Sequence, residues 1–329
     1  MENTREYSFD ILRVISMIMV IVVHVSNIYS RSFGIISNKS FLISLIFNTI
    51  SRISVPIFFM ISGALLVDRK FNKEKYFKRI IKFILLIVIW NIVYLVWEYL
   101  YLGVTYNNLQ NLLLKPYRAH LWFLYTILIL YITQPIMKIV LDKSNKTIKI
   151  IMLFIWLLFS SLSIVNSTIS QAFTIFSYIG YFILGKYLYE FIKKNNIKKY
   201  NVFLVLSVLL CITISIILNY NFSIKYNRFY NLFFAYRTPF IIVSSISFFA
   251  LIFANYKKDA LPNIIKILSE LSLGVYLIHG MFLDITVRLF RYSTINSLIG
   301  IPIFTIIITI CSCISVFILK KIKFMKQFL

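Results

Sequence analysis

The sequence predicts an all-α polytopic membrane protein of about ten transmembrane helices with N- and C-termini cytoplasmic, and three observations carry that prediction. Of the 329 residues 60% are hydrophobic and 14% charged, whereas a soluble domain is closer to half apolar and a quarter charged. Apolar runs of the roughly 17 to 25 residues needed to cross a bilayer recur from end to end. Lysines and arginines gather in alternate connections, as they do in cytoplasmic loops. Residues 1–329 are therefore expected to form a single integral membrane domain.

The helices are expected, in order, at 8–29, 42–66, 79–102, 119–140, 148–165, 172–192, 201–219, 236–256, 270–288 and 299–319. The first follows Arg5 and is expected to be retained, because Arg13 and His24 interrupt its apolar run and no small-x-small cleavage site follows. A basic cluster from Arg69 to Lys82 separates the second helix from the third. Lys138 to Lys149 separate the fourth from the fifth, and Lys186 to Lys199 the sixth from the seventh. Lys257, Lys258 and Lys266 lie between the eighth and ninth, and Lys320 to Lys326 follow the tenth. With the N-terminus inside, this alternation places most of the 35 lysines and arginines in the cytoplasm.

The same placement accounts for the formal charge of +24. The basic residues sit in short loops facing anionic lipid headgroups, with no zinc, helix-turn-helix or RNA-binding signature, which argues against a nucleic-acid partner. Cys211, Cys311 and Cys313 fall within spans and read as small apolar residues, and no Cys/His/carboxylate spacing suggests a metal. Richness in Ile, Lys, Asn, Phe and Tyr points to a bacterial gene of low GC content, hence a multi-pass protein of the cell membrane.

The first helix raises the functional question, because "FDILRVISMIMVIVVHVSN" keeps an acid, an arginine and a histidine in an apolar run. Residues eleven apart on an α-helix are rotated by about 20° beyond three turns and separated by about 16 Å. Arg13 and His24 therefore share a face, and Asp10, three positions before Arg13, is placed to pair with it. Ionisable side chains at membrane depth turn toward a protein interior or a watery cavity. Taken singly, Arg13 also reads as a snorkelling residue and His24 as a core histidine bonded to backbone. Together they suit a ligand anionic at one end and reactive at the other. Acyl-coenzyme A has that form, and an imidazole can accept the proton of an acceptor hydroxyl at neutral pH.

"REYSFDILRVISMIMVIVVH", residues 5–24, resembles the first helix of the acyltransferase 3 family of integral membrane acyltransferases, marked by a basic residue, ten intervening residues and a histidine. Further blocks resemble the family in the right order: "SVPIFFMISGALL" at 54–66, with Pro56, Ser62 and Gly63, "HLWFLYTILILYITQPI" at 120–136, "GYFILGKYL" at 180–188 and "ELSLGVYLIHGMF" at 270–282. The likeness is greatest to short members that modify surface carbohydrate and carry no appended extracytoplasmic domain. It implies acetyl-CoA or another acyl-CoA as cytoplasmic donor and, as acceptor, a hydroxyl of a cell-surface glycan or lipid-linked sugar. It also implies His24 as the catalytic group and Arg13 as its basic partner. Two departures stand out. Some members have two arginines three apart after the second helix, whereas Arg69 is followed at that spacing by Asn72, leaving Lys70 and Lys73 as nearby cations. Ala64 stands where many members have an aromatic residue.

The remaining polar residues carry weaker expectations. Arg13, Asp10, Arg69, Lys70 and Lys73 form the candidate donor site. His120, His279, Ser62 and Tyr125 are candidates for acceptor binding or oxyanion stabilisation. Against this, His279 also reads as a buried structural residue, between Gly274 and Gly280, which permit close helix approach. Trp122 reads as part of an interfacial aromatic belt. Asp284 and Arg288, four apart, are expected to pair, and Glu98 and Arg237 are expected near the acceptor side. The competing function is a transporter or flippase for a sugar, an amino acid or a lipid-linked intermediate, since charged faces also line permeation paths. Such proteins more typically show repeated halves with broken helices, and no such repeat is visible.

Overall fold

The computed structural model describes residues 6–69, 71–103, 116–162, 167–256, 262–323, 325 and 328. The described residues include eleven α-helices: α1 (Tyr7–Arg31), α2 (Asn38–Ser51), α3 (Ser54–Leu66), α4 (Lys73–Trp97), α5 (Trp122–Lys143), α6 (Lys146–Leu162), α7 (Ser167–Lys194), α8 (Asn201–Lys225), α9 (Pro239–Asn255), α10 (Asn263–Leu289) and α11 (Ser297–Leu319). Eight segments among them are long and apolar enough to cross a membrane.

Each expected span meets a helix, with one instructive difference. The second span is two helices, α2 and α3, meeting at Arg52 and Ile53. Pro56 has no N–H to give to the Arg52 carbonyl, and its ring crowds that carbonyl, so the helix is interrupted four residues upstream of the proline. The break leaves Arg52 in the wall of the cavity described below rather than on a helix surface.

α1 is central and packs against α2, α3, α9, α10 and α11. Its buried residues include Leu12, Met17, Ile21 and Val25. α8 turns Val202, Phe203, Leu206, Leu209 and Leu210 outward, as expected of a helix that faces lipid.

α3 and α7 approach as closely as backbone allows. A Cβ at Gly63 would lie 1.7 Å from the Phe182 carbonyl oxygen, and one at Gly185 would lie 2.0 Å from that of Met60. The blocks 54–66 and 180–188 are thus two sides of one small-residue contact. Below it, Asp68 receives Lys186 and lies 3.9 Å from Lys138, tying the end of α3 to α7 and α5.

Candidate functional site

A cavity of about 760 Å³ runs beside α1, and Arg13, His24 and Arg31 all line it. Arg31 is seven residues beyond His24, about 20° short of two turns, so the three share one stripe. From Arg13 to Arg31 the stripe covers about 27 Å at 1.5 Å per residue, close to the thickness of a bilayer core. The cavity therefore reaches from one end of the first span to the other, and its volume lies within the usual range for a small-molecule site.

At the Arg13 end the wall is polar and ordered. Asp10, buried, accepts from Ser269 Oγ at 2.7 Å and from Arg13 Nη1 at 3.4 Å. A carboxylate anchored from α10 thereby orients the guanidinium of α1. Arg69 enters from the end of α3, where its Nε donates to the Leu65 carbonyl at 3.0 Å. Gln134 Nε2 donates to the Leu66 and Val67 carbonyls at 3.0 and 3.2 Å, satisfying orphan acceptors at that helix end. Ser62 lines the same cavity.

Midway lie all three histidines of the chain. Ring centroids are 5.1 Å apart for His24 and His279, 5.0 Å for His120 and His279, and 6.1 Å for His24 and His120. His120 and His279 are buried, whereas His24 is partly accessible. His279 Nδ1 is 2.6 Å from the Tyr276 carbonyl. A carbonyl can only accept, so Nδ1 carries the proton and the neutral ring keeps its lone pair on Nε2. Neither that Nε2 nor the one of His120 has a hydrogen-bond partner among the described residues. Tyr276 Oη donates to the His120 carbonyl, and Tyr94 Oη donates to the Leu277 carbonyl at 2.8 Å. Gly280 is required here, since a Cβ would come within 2.8 Å of both His120 Cε1 and Tyr94 Oη. Residues 276–280 of α10 thus form the platform on which His120 rests. Among the described residues no three His, Cys, Asp or Glu side chains are arranged to hold a metal ion.

The far end is lined by Arg31, Arg52 and Arg118. Arg118 pairs with Glu98 at 3.0 Å and with Asp284, which also accepts from Trp97 Nε1 at 3.0 Å.

Six of the ten sequence-chosen residues, Arg13, His24, Ser62, Arg69, His120 and His279, therefore line one cavity, and Asp10 braces one of them. Lys73 is exposed and is not among the lining residues. Lys70 lies outside the described residues. Tyr125 lies off the cavity, its hydroxyl accepting from Asn91 Nδ2 at 2.8 Å. Tyr125→Phe is accordingly expected to leave turnover within about twofold and to cost about 1 kcal/mol of stability, measured as initial rate and melting temperature on the same preparation.

Several expectations are corrected. Asp284 does not pair with Arg288, because the fork of Arg118 spans Glu98 and Asp284 from a neighbouring segment. Arg288 instead donates to the Tyr101 carbonyl at 2.5 Å. Glu98 is likewise engaged by Arg118. Trp122 also lines the cavity, with its ring 5.0 Å from Tyr178 and 5.9 Å from Tyr236. Asn72, at the position of the missing second arginine, caps α4 by accepting from the Lys75 amide at 2.9 Å, a role Ser, Thr, Asp and Asn fill well.

Sequence reasoning missed Arg31, Arg52, Arg118 and Tyr276. The signal for Arg31 was present, since its seven-residue spacing from His24 obeys the rule that joined His24 to Arg13.

A family model described as an acyltransferase domain matches residues 6–319, nearly the whole chain. No curated protein and no solved structure matches it.

Proposed function

Because the chain belongs to the acyltransferase 3 family, we propose that it is a multi-pass enzyme of the bacterial cell membrane that moves an acyl group, most simply acetyl, from cytoplasmic acyl-CoA to a hydroxyl of a cell-surface glycan or lipid-linked sugar. The observation that carries this reading is the placement of all three histidines midway along a cavity with arginines at both ends. A donor with anionic phosphates and an acceptor from the opposite side of the membrane need such a two-ended passage.

In this reading Arg13 and Arg69 hold the phosphates of CoA, with Lys70 and Lys73, their neighbours in the sequence, as further donor-site cations, and the pantetheine arm reaches toward His24. His24 takes the proton of the acceptor hydroxyl, and the oxygen attacks the thioester carbonyl. The C–S bond breaks, and the thiolate leaves and is protonated as CoA. His120 and His279, whose buried Nε2 atoms have no hydrogen-bond partner among the described residues, stand beside His24 as acceptor-binding residues in this reading, and Ser62 lines the same cavity. The partial accessibility of His24 beside two buried partners is why the base is assigned to it.

The test is to reconstitute the purified chain and follow CoA release from labelled acetyl-CoA with cell-envelope glycans as acceptor. Labelled ester on glycan with stoichiometric CoA supports the reading. Solute movement without acetyl-CoA consumption would replace it with the transporter.

The donor site carries its own prediction. A hydrogen bond to a charged group contributes about 1.5–3 kcal/mol, so Arg13→Ala should raise the acyl-CoA KM roughly 10- to 100-fold and change kcat much less. Arg69→Ala should do the same. An unchanged Kd for acetyl-CoA in both variants would remove the phosphate contact from the mechanism.

A further inference from the structure

The end of the cavity opposite Arg13 and Arg69 is also cationic, and its cations differ in what they already hold. Arg118 is neutralised by Glu98 and Asp284. Among the described residues Arg31 and Arg52 pair with no carboxylate. Arg31 is exposed at the end of α1, on the stripe of His24. Arg52 is partly buried at the break between α2 and α3 and held by three groups. Its Nε donates to Asn48 Oδ1 at 2.9 Å, and its guanidinium carbon lies 4.5 Å from the Phe234 ring centroid and 5.4 Å from that of Tyr236. Those contacts fix the plane of the fork and use one of its five N–H groups. The two Nη groups remain, and among the described residues they donate to nothing.

A planar, immobilised fork with both terminal nitrogens unspent is the donor set that carboxylate and phosphate oxygens match bidentately. A second cavity, of about 320 Å³, adjoins this end, sharing Arg52, Asn231 and Tyr236 in its wall with the first and adding Arg237. The far end thus has room for a group larger than the hydroxyl-bearing unit, in a wall that repeats arginine.

We infer that the acceptor is anionic: it carries a carboxylate or phosphate that docks on Arg52, with Arg31 beside it, while a hydroxyl of the same molecule reaches the histidines. This rests on the acyl-transfer reading for the direction in which the acceptor enters. It adds the chemical class of the acceptor and a residue that selects it. A neutral sugar would leave the fork of Arg52 unmatched.

The test uses the full chain in nanodiscs with methyl β-glucuronide and methyl β-glucoside as probes, which differ in one carboxylate. In phosphatidylcholine discs the glucuronide should bind at least about tenfold more tightly, the difference expected of one charge-assisted contact. Arg52→Gln should erase the difference by weakening the glucuronide alone, and Arg52→Lys, which keeps charge but loses the fork, should restore only part of it. The same preference in phosphatidylglycerol discs assigns the anion to the acceptor. If it vanishes there, the arginines hold lipid headgroups and the inference is overturned. Equal binding of both probes, or binding of neither, overturns it as well. Acetyl-CoA binding and CoA release measured on the same discs report on acyl transfer separately, so a failure there leaves the sugar comparison readable by itself.

Discussion

Replacing His24 with alanine is expected to lower acyl transfer by about 10² to 10⁴, the usual contribution of a positioned general base, while acetyl-CoA still binds with its wild-type Kd. The expectation follows from position. His24 is the partly accessible member of the triangle and stands on the stripe that joins the two ends of the cavity, about 16 Å from Arg13 and about 10 Å from Arg31 along the helix. Of its neighbours, His279 is buried with its Nε2 closed off, and His120 is enclosed between Tyr94, Tyr276 and His279. Neither is as free to take a proton from an incoming hydroxyl and release it. His24→Gln, which keeps hydrogen-bonding groups and loses the titratable ring, should be as inactive as His24→Ala. If either variant retained near-normal turnover with an intact melting temperature, the base would have to be sought among the other two rings. His279→Ala would then be the variant to lose activity outright, and a comparison of the three single variants in one assay distinguishes these cases.

Much of this site was legible before any coordinates, because a helix converts sequence spacing into geometry. Asp10, Arg13 and His24 could be set on one face by counting, and their cost in lipid demanded a cavity. The helices followed from apolar length, and eight segments among the described residues are long and apolar enough to cross a membrane. What could not be read were meetings between distant elements. Arg118 lies in a short segment before α5, and nothing local says that its fork spans Glu98 and Asp284. Arg52 looked like the interior of a long helix, and only the break imposed by Pro56 turns it into a wall of the cavity. His120 was placed beside Trp122 at an interface, yet Gly280 leaves a hollow that His120 fills, while Trp122 packs against Tyr178 and Tyr236. The i, i+4 expectation for Asp284 and Arg288 failed for the same reason, since a local pair contributes only a few tenths of a kcal/mol and yields to a partner that engages two carboxylates at once.

The second large effect is expected at Gly63, which holds no chemistry. Gly63→Val should lower the melting temperature sharply and remove acyl-CoA binding, and even Gly63→Ala should do much of this. The added Cβ would stand 1.7 Å from the Phe182 carbonyl oxygen and 2.6 Å from its carbon, so no side-chain rotation relieves the contact and α3 must move away from α7. Overpacking of a close interface typically costs about 1–3 kcal/mol, and here the cost falls on both sides, because Gly185 meets the Met60 carbonyl in the same contact. Displacing α3 also displaces what it presents: Ser62 in the cavity wall, and the Leu65 carbonyl that holds Arg69. Stability and donor binding should therefore fall together through one packing fault, unlike Arg13→Ala, where binding falls through loss of the guanidinium itself and the α3–α7 contact stays intact. Gly34→Ala provides the contrast. Gly34 has φ of +82° with nothing within 4 Å of a built Cβ, so its cost is confined to backbone strain of about 1–2 kcal/mol and donor binding should be unaffected. If Gly63→Ala melted no lower than Gly34→Ala and bound acetyl-CoA normally, α3 and α7 would not be packed backbone to backbone. The family blocks at 54–66 and 180–188 would then need another explanation.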